Sequence, residues 1–221
     1  MSRVLVFSGG GDYVDPWHPF AETSAVVAAV LRDAGHVVTV VDSLDDLNAA
    51  LPEADVLLVN AGGGPAPHPH DERLAAILAS TTTPLLALHV AATLLPAGEL
   101  WEQRLGGRWV RGESMHPAQG PLGLRSVSTS PIVTGLGTLE TVDEAYSWLR
   151  VADDAEVLLV HDHDDTVHPV CWIVDRGGRR SAYDALGHDV GAYEAPFTRE
   201  LVTRLVEWLA EAPSTPPLPA E

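Results

Sequence analysis

The chain has 221 residues, of which 46% are hydrophobic, and it carries 31 acidic against 13 basic residues, a formal charge of −18. This length and hydrophobic share suit one globular domain with a full core and exclude a disordered chain. The negative charge repels phosphate backbones and anionic lipids, so we expect no nucleic-acid partner and no membrane partner.

Residue types that the chain lacks exclude further classes of protein. All 13 basic residues are arginine, which removes the lysine of Schiff-base enzymes, pyridoxal phosphate sites and P-loops. The single cysteine, Cys171, excludes an intramolecular disulfide framework and a cysteine zinc cluster. No run reaches the roughly 18 apolar residues of a membrane span, and the first apolar run is too short for a signal peptide core. We therefore expect a cytoplasmic protein.

Strand and helix patterns alternate through the first half of the sequence. Apolar runs predict strands at 3–9, 36–42, 54–64 and 84–89. Apolar residues at helical spacing predict helices at 20–35, 44–51 and 71–81. This alternation predicts an α/β fold, with a mostly parallel sheet between two helical layers. Ligands of such sheets bind beyond the carboxyl ends of the strands.

The second half has a different pattern, in which turn signals separate strand-like segments. These segments lie at 124–130, 156–162, 170–176 and 180–186 and predict antiparallel additions to the sheet. An amphipathic helix is predicted at 196–212. We assign residues 1–212 to a single domain and 213–221 to a flexible C-terminal tail.

The loops after the strands disfavour a nucleotide site and a cysteine nucleophile. The glycines at 8–13 and 60–65 lack the G-x-G-x-x-G spacing and a Walker lysine, so we interpret them as sharp turns. Glutamine-amidotransferase-like folds place a nucleophilic cysteine at a turn such as the one after 84–88, but His89 stands there. Cys171 lies inside a strand pattern, which predicts a buried and inert thiol.

Four histidines follow or end apolar segments and are expected at a common cleft: His18, His89, His116 and His188. Neutral imidazoles are common zinc ligands, and they also act as general acids and bases near pH 7. The alternative for each one is a hydrogen-bonded structural histidine. The histidine-rich segment 161–169 lacks helical ligand spacing, and we predict that it is an exposed hairpin.

Several longer stretches together resemble the trehalose-utilisation (ThuA-like) family. They are LHVAATLLPAGELWEQRLGGRWV at 88–110, HP at 116–117, SPIVTGL at 130–136, DEAYSW at 143–148 and GRRSAYDALGHDVGAYEAPFTRELVTRLVEWLA at 178–210. The sequence departs from the family pattern at Ser130, where the family commonly has histidine. The resemblance implies a flavodoxin-like, class I glutamine-amidotransferase-like fold of three layers that lacks the amidotransferase cysteine. It also implies a role in carbohydrate metabolism.

The resemblance and the residue chemistry together give a functional hypothesis: acid–base chemistry on a sugar or keto-sugar, such as a 3-keto-glycoside. Isomerisation, β-elimination and hydration all suit imidazole and carboxylate groups. We assign catalysis to His89, His188, Glu144 and His116. We assign substrate binding to His18, Trp17, Tyr13, Tyr146, Trp148 and Asp189, since sugars stack on aromatic rings and bond to polar edges.

A divalent metal such as zinc is predicted on His89, His116 and His188, because a developing oxyanion needs a positive centre and lysine is absent. The alternative function is a sugar-binding or regulatory module without catalysis. The tryptophan-containing segment at 101–109 and the family resemblance favour a homodimer.

Overall fold

The computed structural model describes residues 1–64 and 66–211, and an eight-stranded sheet forms its centre. The strands are β1 (Arg3–Ser8), β2 (Val37–Val41), β3 (Val56–Asn60), β4 (Leu85–Leu88), β5 (Gly107–Arg108), β6 (Gly120–Gly123), β7 (Arg125–Ser126), β8 (Glu140–Asp143), β9 (Arg150–Val151), β10 (Glu156–His163), β11 (Thr166–Arg176) and β12 (Arg179–Asp184). The α-helices are α1 (Phe20–Asp33), α2 (Leu44–Ala50), α3 (Asp71–Ala79), α4 (Leu100–Leu105) and α5 (Pro196–Ala210). Short 3-10 segments lie at Leu51–Glu53, His89–Thr93 and Val190–Glu194.

The strand order of the central sheet is β2-β1-β3-β4-β12-β11-β10-β7. The neighbours from β2 to β12 are parallel, whereas β11, β10 and β7 continue the sheet in antiparallel pairs. Because β12 pairs with β4, Asp184 lies opposite Leu88. The residues that follow β12 therefore lie beside His89, although they are far from it in sequence.

Helices cover both faces of the sheet. The chain first moves from β1 outward to β2, and then returns past β1 to β3 and on to β4. Because each crossover is right-handed, this reversal of direction puts α1 on one face of the sheet and α2 and α3 on the other. In agreement, α1 contacts α5, while α2 contacts α3 and α3 contacts α4. Every residue of β3 and β4 is buried, as in parallel sheets with two covered faces. The prediction of a three-layer α/β fold is confirmed.

Two tryptophans lie in the core. Trp101, on α4, is 1% exposed and donates its indole N–H to the carbonyl of Ala91 at 2.7 Å. Trp172, on β11, is fully buried and donates to the carbonyl of Leu105 at 2.9 Å. Trp101 therefore contributes no apolar surface at 101–109 to a contact between protomers, and the homodimer stays a prediction.

Glycine geometry explains where two predicted elements end early. The helix predicted at 20–35 ends at Asp33, and Gly35 follows in a left-handed conformation with a φ of +89°. The strand predicted at 54–64 ends at Asn60, because residues 62–64 are glycines with positive φ. None of the described helices has the length and apolar character to cross a membrane. The predicted flexible tail at 213–221 lies outside the described residues.

Candidate functional site

The turn after β4 holds His89 in a left-handed backbone conformation. Its φ is +44°, a region that residues other than glycine seldom adopt. Two contacts with the neighbouring strand hold the turn: the His89 Nδ1 donates to the carbonyl of Ala185 at 2.7 Å, and its own carbonyl accepts from the Tyr183 hydroxyl at 2.8 Å. The pairing of β4 with β12 thus stabilises a strained position at the sheet edge.

The second ring nitrogen of His89 lies against two polar groups. A carbonyl can only accept, so Nδ1 carries the proton and Nε2 keeps its lone pair in the neutral ring. The Tyr146 hydroxyl lies 3.1 Å from Nε2, and Glu144 Oε2 lies 3.4 Å away. His89 therefore presents an electron pair to the site.

His18 is oriented in the same way by Asp15. Its Nδ1 lies 2.7 Å from Asp15 Oδ2, and the other carboxylate oxygen accepts the backbone N–H groups of Trp17 and His18, each at 2.9 Å. Burial raises the pKa of Asp15, but the His18 imidazole and these N–H groups lower it by more, so the pKa lies below its ordinary value. The ionised carboxylate fixes the proton on Nδ1 and leaves Nε2 of His18 free.

Glu144 lies among the imidazoles, immediately after β8. Its Oε2 is 3.4 Å from His188 Nδ1, and its Oε1 is 3.5 Å from His116 Nδ1. Burial raises the pKa of Glu144, yet the pKa lies far below its ordinary value, and the contact with the His188 imidazole is the largest effect that opposes burial. Glu144 is consequently a carboxylate.

Two buried carboxyl groups lie beneath the site. Asp143 accepts the backbone N–H groups of Glu144 at 2.8 Å and Gly187 at 2.7 Å, which links the end of β8 to the loop after β12. Burial raises the pKa of Asp143. Asp184 is fully buried, and burial, together with the charge of Asp143, raises its pKa to about 8.

The four side chains with converging ligand atoms are His18, His89, Glu144 and His188. One donor atom from each lies within 4.8 Å of the others. With bonds of about 2.0 to 2.2 Å, the ligand atoms of a tetrahedral zinc ion are roughly 3.3 to 3.6 Å apart, close to the distances from Glu144 to His89 and His188. The His188 Nδ1 is buried and has no hydrogen-bond partner within the described ranges. The donor set therefore fits a divalent metal ion.

His116 lies at the edge of this group. About a third of its side chain is exposed, its ring stacks on Tyr146, and its Nδ1 donates to the carbonyl of Pro117 at 2.9 Å. The structure therefore brings His18, instead of the predicted His116, together with His89 and His188. His116 lies close to Glu144 but outside the four-residue group.

The cleft in front of these groups has a volume of about 550 Å³, the size of a small-molecule site. The side chains at its walls and mouth come from several loops: Trp17, His18, Val90, Thr93, Trp109, Arg111, His116, Glu144, Tyr146 and His188. Trp17 lines the cleft and is 65% exposed. The cleft thus combines aromatic rings with polar groups.

The sequence model of the ThuA family, described as trehalose utilisation, matches residues 3–209. The chain belongs to the ThuA family. The recognition made from the sequence motifs is thus confirmed. No functionally curated protein matches the chain.

Solved structures agree with this assignment at the level of the fold. A putative ThuA-like protein from Parabacteroides merdae has a TM-score of 0.73 at 16% identity, with 98% of this chain and 93% of that chain covered. A second, from Bacteroides uniformis, has a TM-score of 0.68 at 13% identity, with 94% and 91% covered. The glutaminase domain of the CTPS of Trypanosoma brucei has a TM-score of 0.52 at 12% identity, with 94% of each chain covered. The ThuA fold is therefore glutamine-amidotransferase-like.

Tyr13 and Asp189 lie away from the cleft lining. Tyr13 is 1% exposed; its hydroxyl donates to Asp71 at 3.2 Å, and its ring stacks on His68. Asp189 caps the 3-10 segment at Val190–Glu194 and accepts from Gln119 at 2.8 Å. Both side chains have structural partners in place of the predicted exposure to a ligand.

Trp148 also lies outside the cleft, over a second group of histidines. Its φ is +55°, and its ring contacts His163 and His168. The hairpin predicted at 161–169 is formed by β10 and β11, but His161 and His168 are each only 2% exposed. The prediction of exposure is wrong for these two residues, because the loop at 144–148 packs over them.

These two residues, the hairpin histidines His161 and His168, bond to the backbone of that loop. The His161 Nε2 donates to the carbonyl of Tyr146 at 2.9 Å. The His168 Nδ1 accepts the N–H of Trp148 at 3.1 Å, and its Nε2 donates to the carbonyl of His163 at 3.2 Å. They therefore stabilise the segment that carries Glu144 and Tyr146. We call His18, His89 and His188 the cleft histidines.

Several residues of the site were not predicted from the sequence, among them two carboxylates and two residues of the cleft wall. Asp15 lies three positions before His18, and Asp143 directly precedes Glu144, so both could have been considered as second-layer carboxylates. Trp109 and Arg111 belong to the irregular segment after β5, for which no strand or helix pattern indicated a position. Cys171 is fully buried as predicted, and burial raises the pKa of its thiol.

Proposed function

We propose that this ThuA-family protein is an enzyme that acts on a sugar or keto-sugar, such as a 3-keto-glycoside, and uses a bound divalent metal ion. The observation that carries the proposal is the convergence of His18, His89, Glu144 and His188 within 4.8 Å at a cleft of sugar-sized volume. These four residues would hold the ion. When bound, it supplies a Lewis acid for the oxygen of a carbonyl group.

The surroundings of the ligands support a metal site rather than a set of structural histidines. Asp15 and the carbonyl of Ala185 each fix one nitrogen of a cleft histidine and leave the other nitrogen unprotonated. Histidine ligands of metals have such partners as a rule. Three imidazoles and one carboxylate give a donor set suited to zinc and related ions.

Two groups beside the metal ligands are suited to proton transfer. His116 donates from Nδ1 to a backbone carbonyl, so its Nε2 has a lone pair available as a general base. With a metal ion on His89 Nε2, the Tyr146 hydroxyl, which lies 3.1 Å from that nitrogen, would be free to donate a hydrogen bond to a sugar oxygen. We assign His116 to removal of the proton next to a keto-sugar carbonyl, a step common to isomerisation and β-elimination.

The cleft walls are consistent with a carbohydrate ligand. Trp17 and Trp109 present aromatic rings, on which the apolar face of a sugar ring can stack. Arg111 and Glu144 offer a donor and an acceptor for hydroxyl groups. This arrangement favours a polar ring of one or two sugar units over an extended apolar ligand.

The test is incubation of the zinc-loaded protein with 3-keto-glucosides and their parent glycosides in D₂O, followed by NMR. We expect conversion of a keto-sugar, or deuterium incorporation at the carbon next to its carbonyl. His116→Ala should abolish this exchange and retain the metal, whereas His188→Ala should lose both. The matched control is His163→Ala, which removes an imidazole from the hairpin outside the cleft.

Absence of exchange and of conversion across the panel would contradict the proposed reaction. If the parent protein binds the sugars in the cleft, with weaker binding by His89→Ala, but never forms product, the protein is a sugar-binding module. The expected zinc retention of His116→Ala separates the metal site from the acid–base role.

A further inference from the structure

A second groove lies at the amino-terminal end of β12, at the opposite end of this strand from the cleft, and contains three arginines. It is formed by the end of α3, by α4, and by the turn between β11 and β12, and its volume is about 540 Å³. Arg179 is the first residue of β12, whereas Asp184, beside the cleft, is the last. We call this feature the arginine groove and define it by Arg104, Arg176 and Arg179.

Within the described residues, two of the three arginines have no carboxylate partner. Arg176 pairs with Asp154 at 2.6 Å. Among the residues that the structure describes, no carboxylate forms an ion pair with Arg104 or Arg179, although the chain has 31 acidic residues. A negatively charged protein could easily have provided one, so two adjacent and unneutralised arginines are an unusual local excess of positive charge.

Hydrogen bonding leaves part of this charge unsatisfied. Arg104 donates from Nη2 to the carbonyl of Thr83, and Arg179 donates from Nη2 to the carbonyl of Thr81 at 2.9 Å. The Arg104 Nη1 is buried and has no partner within the described part of the chain. Burial and, after it, the charge of Arg179 lower the pKa of Arg104 to about 10. A buried N–H group without an acceptor is unfavourable, and more so on a cation.

An oxyanion in the groove would relieve the repulsion between the two guanidinium groups. Its oxygen atoms would accept from the exposed N–H groups of Arg179, and its charge would offset the repulsion between Arg104 and Arg179. The remaining walls, from Leu78, Leu100 and Val174, are apolar and can contact a small organic body. We propose that the arginine groove binds a small organic oxyanion, a phosphate ester or a carboxylate, at a site separate from the cleft.

The competing explanation is purely structural: both arginines bond to carbonyls of the loop after α3 and could serve only to hold it. This role uses one nitrogen of each guanidinium, which has five N–H donors. It gives no reason for placing Arg104 and Arg179 side by side without a carboxylate among the described residues. The two explanations differ in one measurable property, the response to added anions.

The experiment is thermal unfolding of the EDTA-treated full-length protein at constant ionic strength, with chloride replaced by inorganic phosphate, glucose 6-phosphate or hexanoate. We expect a saturable increase in Tm with at least one of them and none with glucose. Phosphate and glucose 6-phosphate without hexanoate would identify a phosphate ester, and hexanoate alone a carboxylate. The net charge of −18 makes general anion binding unfavourable.

Variants locate the effect. Arg104→Gln and Arg179→Gln should each raise the half-saturating anion concentration by roughly tenfold or more, as expected for loss of a charge-assisted contact. Arg32→Gln is the matched control, since Arg32 also donates to a single backbone carbonyl, that of Val38 at 2.8 Å, and it should respond like the parent. Glu144→Gln should also respond normally, which separates the groove from the cleft.

No saturable increase in the parent, or an equal increase in Arg179→Gln, would overturn the proposal. Lower stability of the variants without any anion response in the parent would establish the structural role instead. Arg179 is exposed, so Arg179→Gln decides the question even if Arg104→Gln fails to fold.

Discussion

The cleft histidines and the hairpin histidines contact the same short segment, residues 144–148, in different ways. The hairpin pair, His161 and His168, bonds to its backbone, whereas His89 and His188 lie against the carboxylate of Glu144. Both groups are largely buried, so burial does not distinguish them. The distinction is in the partners: His89 and His188 each place a ring nitrogen beside a carboxylate at the cleft, and the hairpin rings use their nitrogens on amides and carbonyls.

This comparison leads to a functional division. A histidine whose nitrogens bond to backbone holds a loop, and one whose second nitrogen is free at a cleft can bind an ion or move a proton. Substitutions in the two groups should therefore affect different measurable quantities. Cleft substitutions should change metal affinity, and hairpin substitutions should change the free energy of unfolding.

The largest effect is expected for Glu144→Gln, which keeps the shape of the side chain and removes its charge. Zinc affinity should fall by more than about 100-fold, beyond the range of outer-layer changes. Competition with a chromophoric chelator measures this affinity. An unchanged zinc affinity would show that Glu144 is not a ligand, and it would contradict the assignment of metal binding to the cleft histidines and Glu144.

A smaller loss is expected for Asp15→Asn. The amide keeps a hydrogen bond to His18 but no longer fixes the proton on Nδ1, so zinc affinity should fall by about 10- to 100-fold. The same chelator titration applies, with Asp189→Asn as the control because Asp189 lies outside the donor group. Equal losses in both variants would mean that charge alone, rather than the contact with His18, controls binding.

His161→Ala tests the hairpin group. It leaves the carbonyl of Tyr146 without its donor, and the free energy of unfolding should fall by about 1 to 3 kcal/mol. Urea denaturation of the metal-free protein gives this value, with His163→Ala, more exposed, expected within about 0.5 kcal/mol of the parent. A loss of zinc affinity in His161→Ala as large as that of Glu144→Gln would contradict a role confined to loop stability.

A separate effect, on the pH dependence of stability, concerns the buried carboxyl beneath the cleft histidines. The folded protein raises the pKa of Asp184 from 3.8 to about 8, so the folded state binds this proton more tightly than the unfolded state. The stabilisation is complete below the unfolded pKa of 3.8 and is lost as pH rises from there through the folded pKa of about 8. Asp184→Asn should remove this fall in the metal-free protein. Parallel pH profiles of urea denaturation for parent and variant would contradict it.

The sequence was most informative about the first half of the fold. Apolar runs and glycine turns predicted β1 to β4 and their helices, because parallel strands with both faces covered have a strong local pattern. The insertion of β12 beside β4 was not predictable from periodicity, since it depends on pairing between distant segments. That pairing also decides which residues lie next to His89.

The same limit applies to the site. His18, His89, His188 and Glu144 were selected from their positions after apolar segments and from family motifs. The donor group contains His18 where the sequence predicted His116. Asp15 orients the His18 ring, and the local sequence pattern did not indicate this contact. Polar residues predict an exposed segment at 161–169, and the burial of His161 and His168 within it comes from the 144–148 loop packed over these two rings.

The central claim is that the cleft histidines and Glu144 form a divalent metal site. Elemental analysis of protein purified without an affinity tag, before and after reloading with zinc and dialysis, tests it most directly. We expect close to one metal ion per chain in the parent, in His116→Ala and in His163→Ala. We expect very little bound metal in His18→Ala and Glu144→Gln. Metal-free parent protein that retains no zinc after reloading, or zinc retained equally by all five proteins, would contradict it.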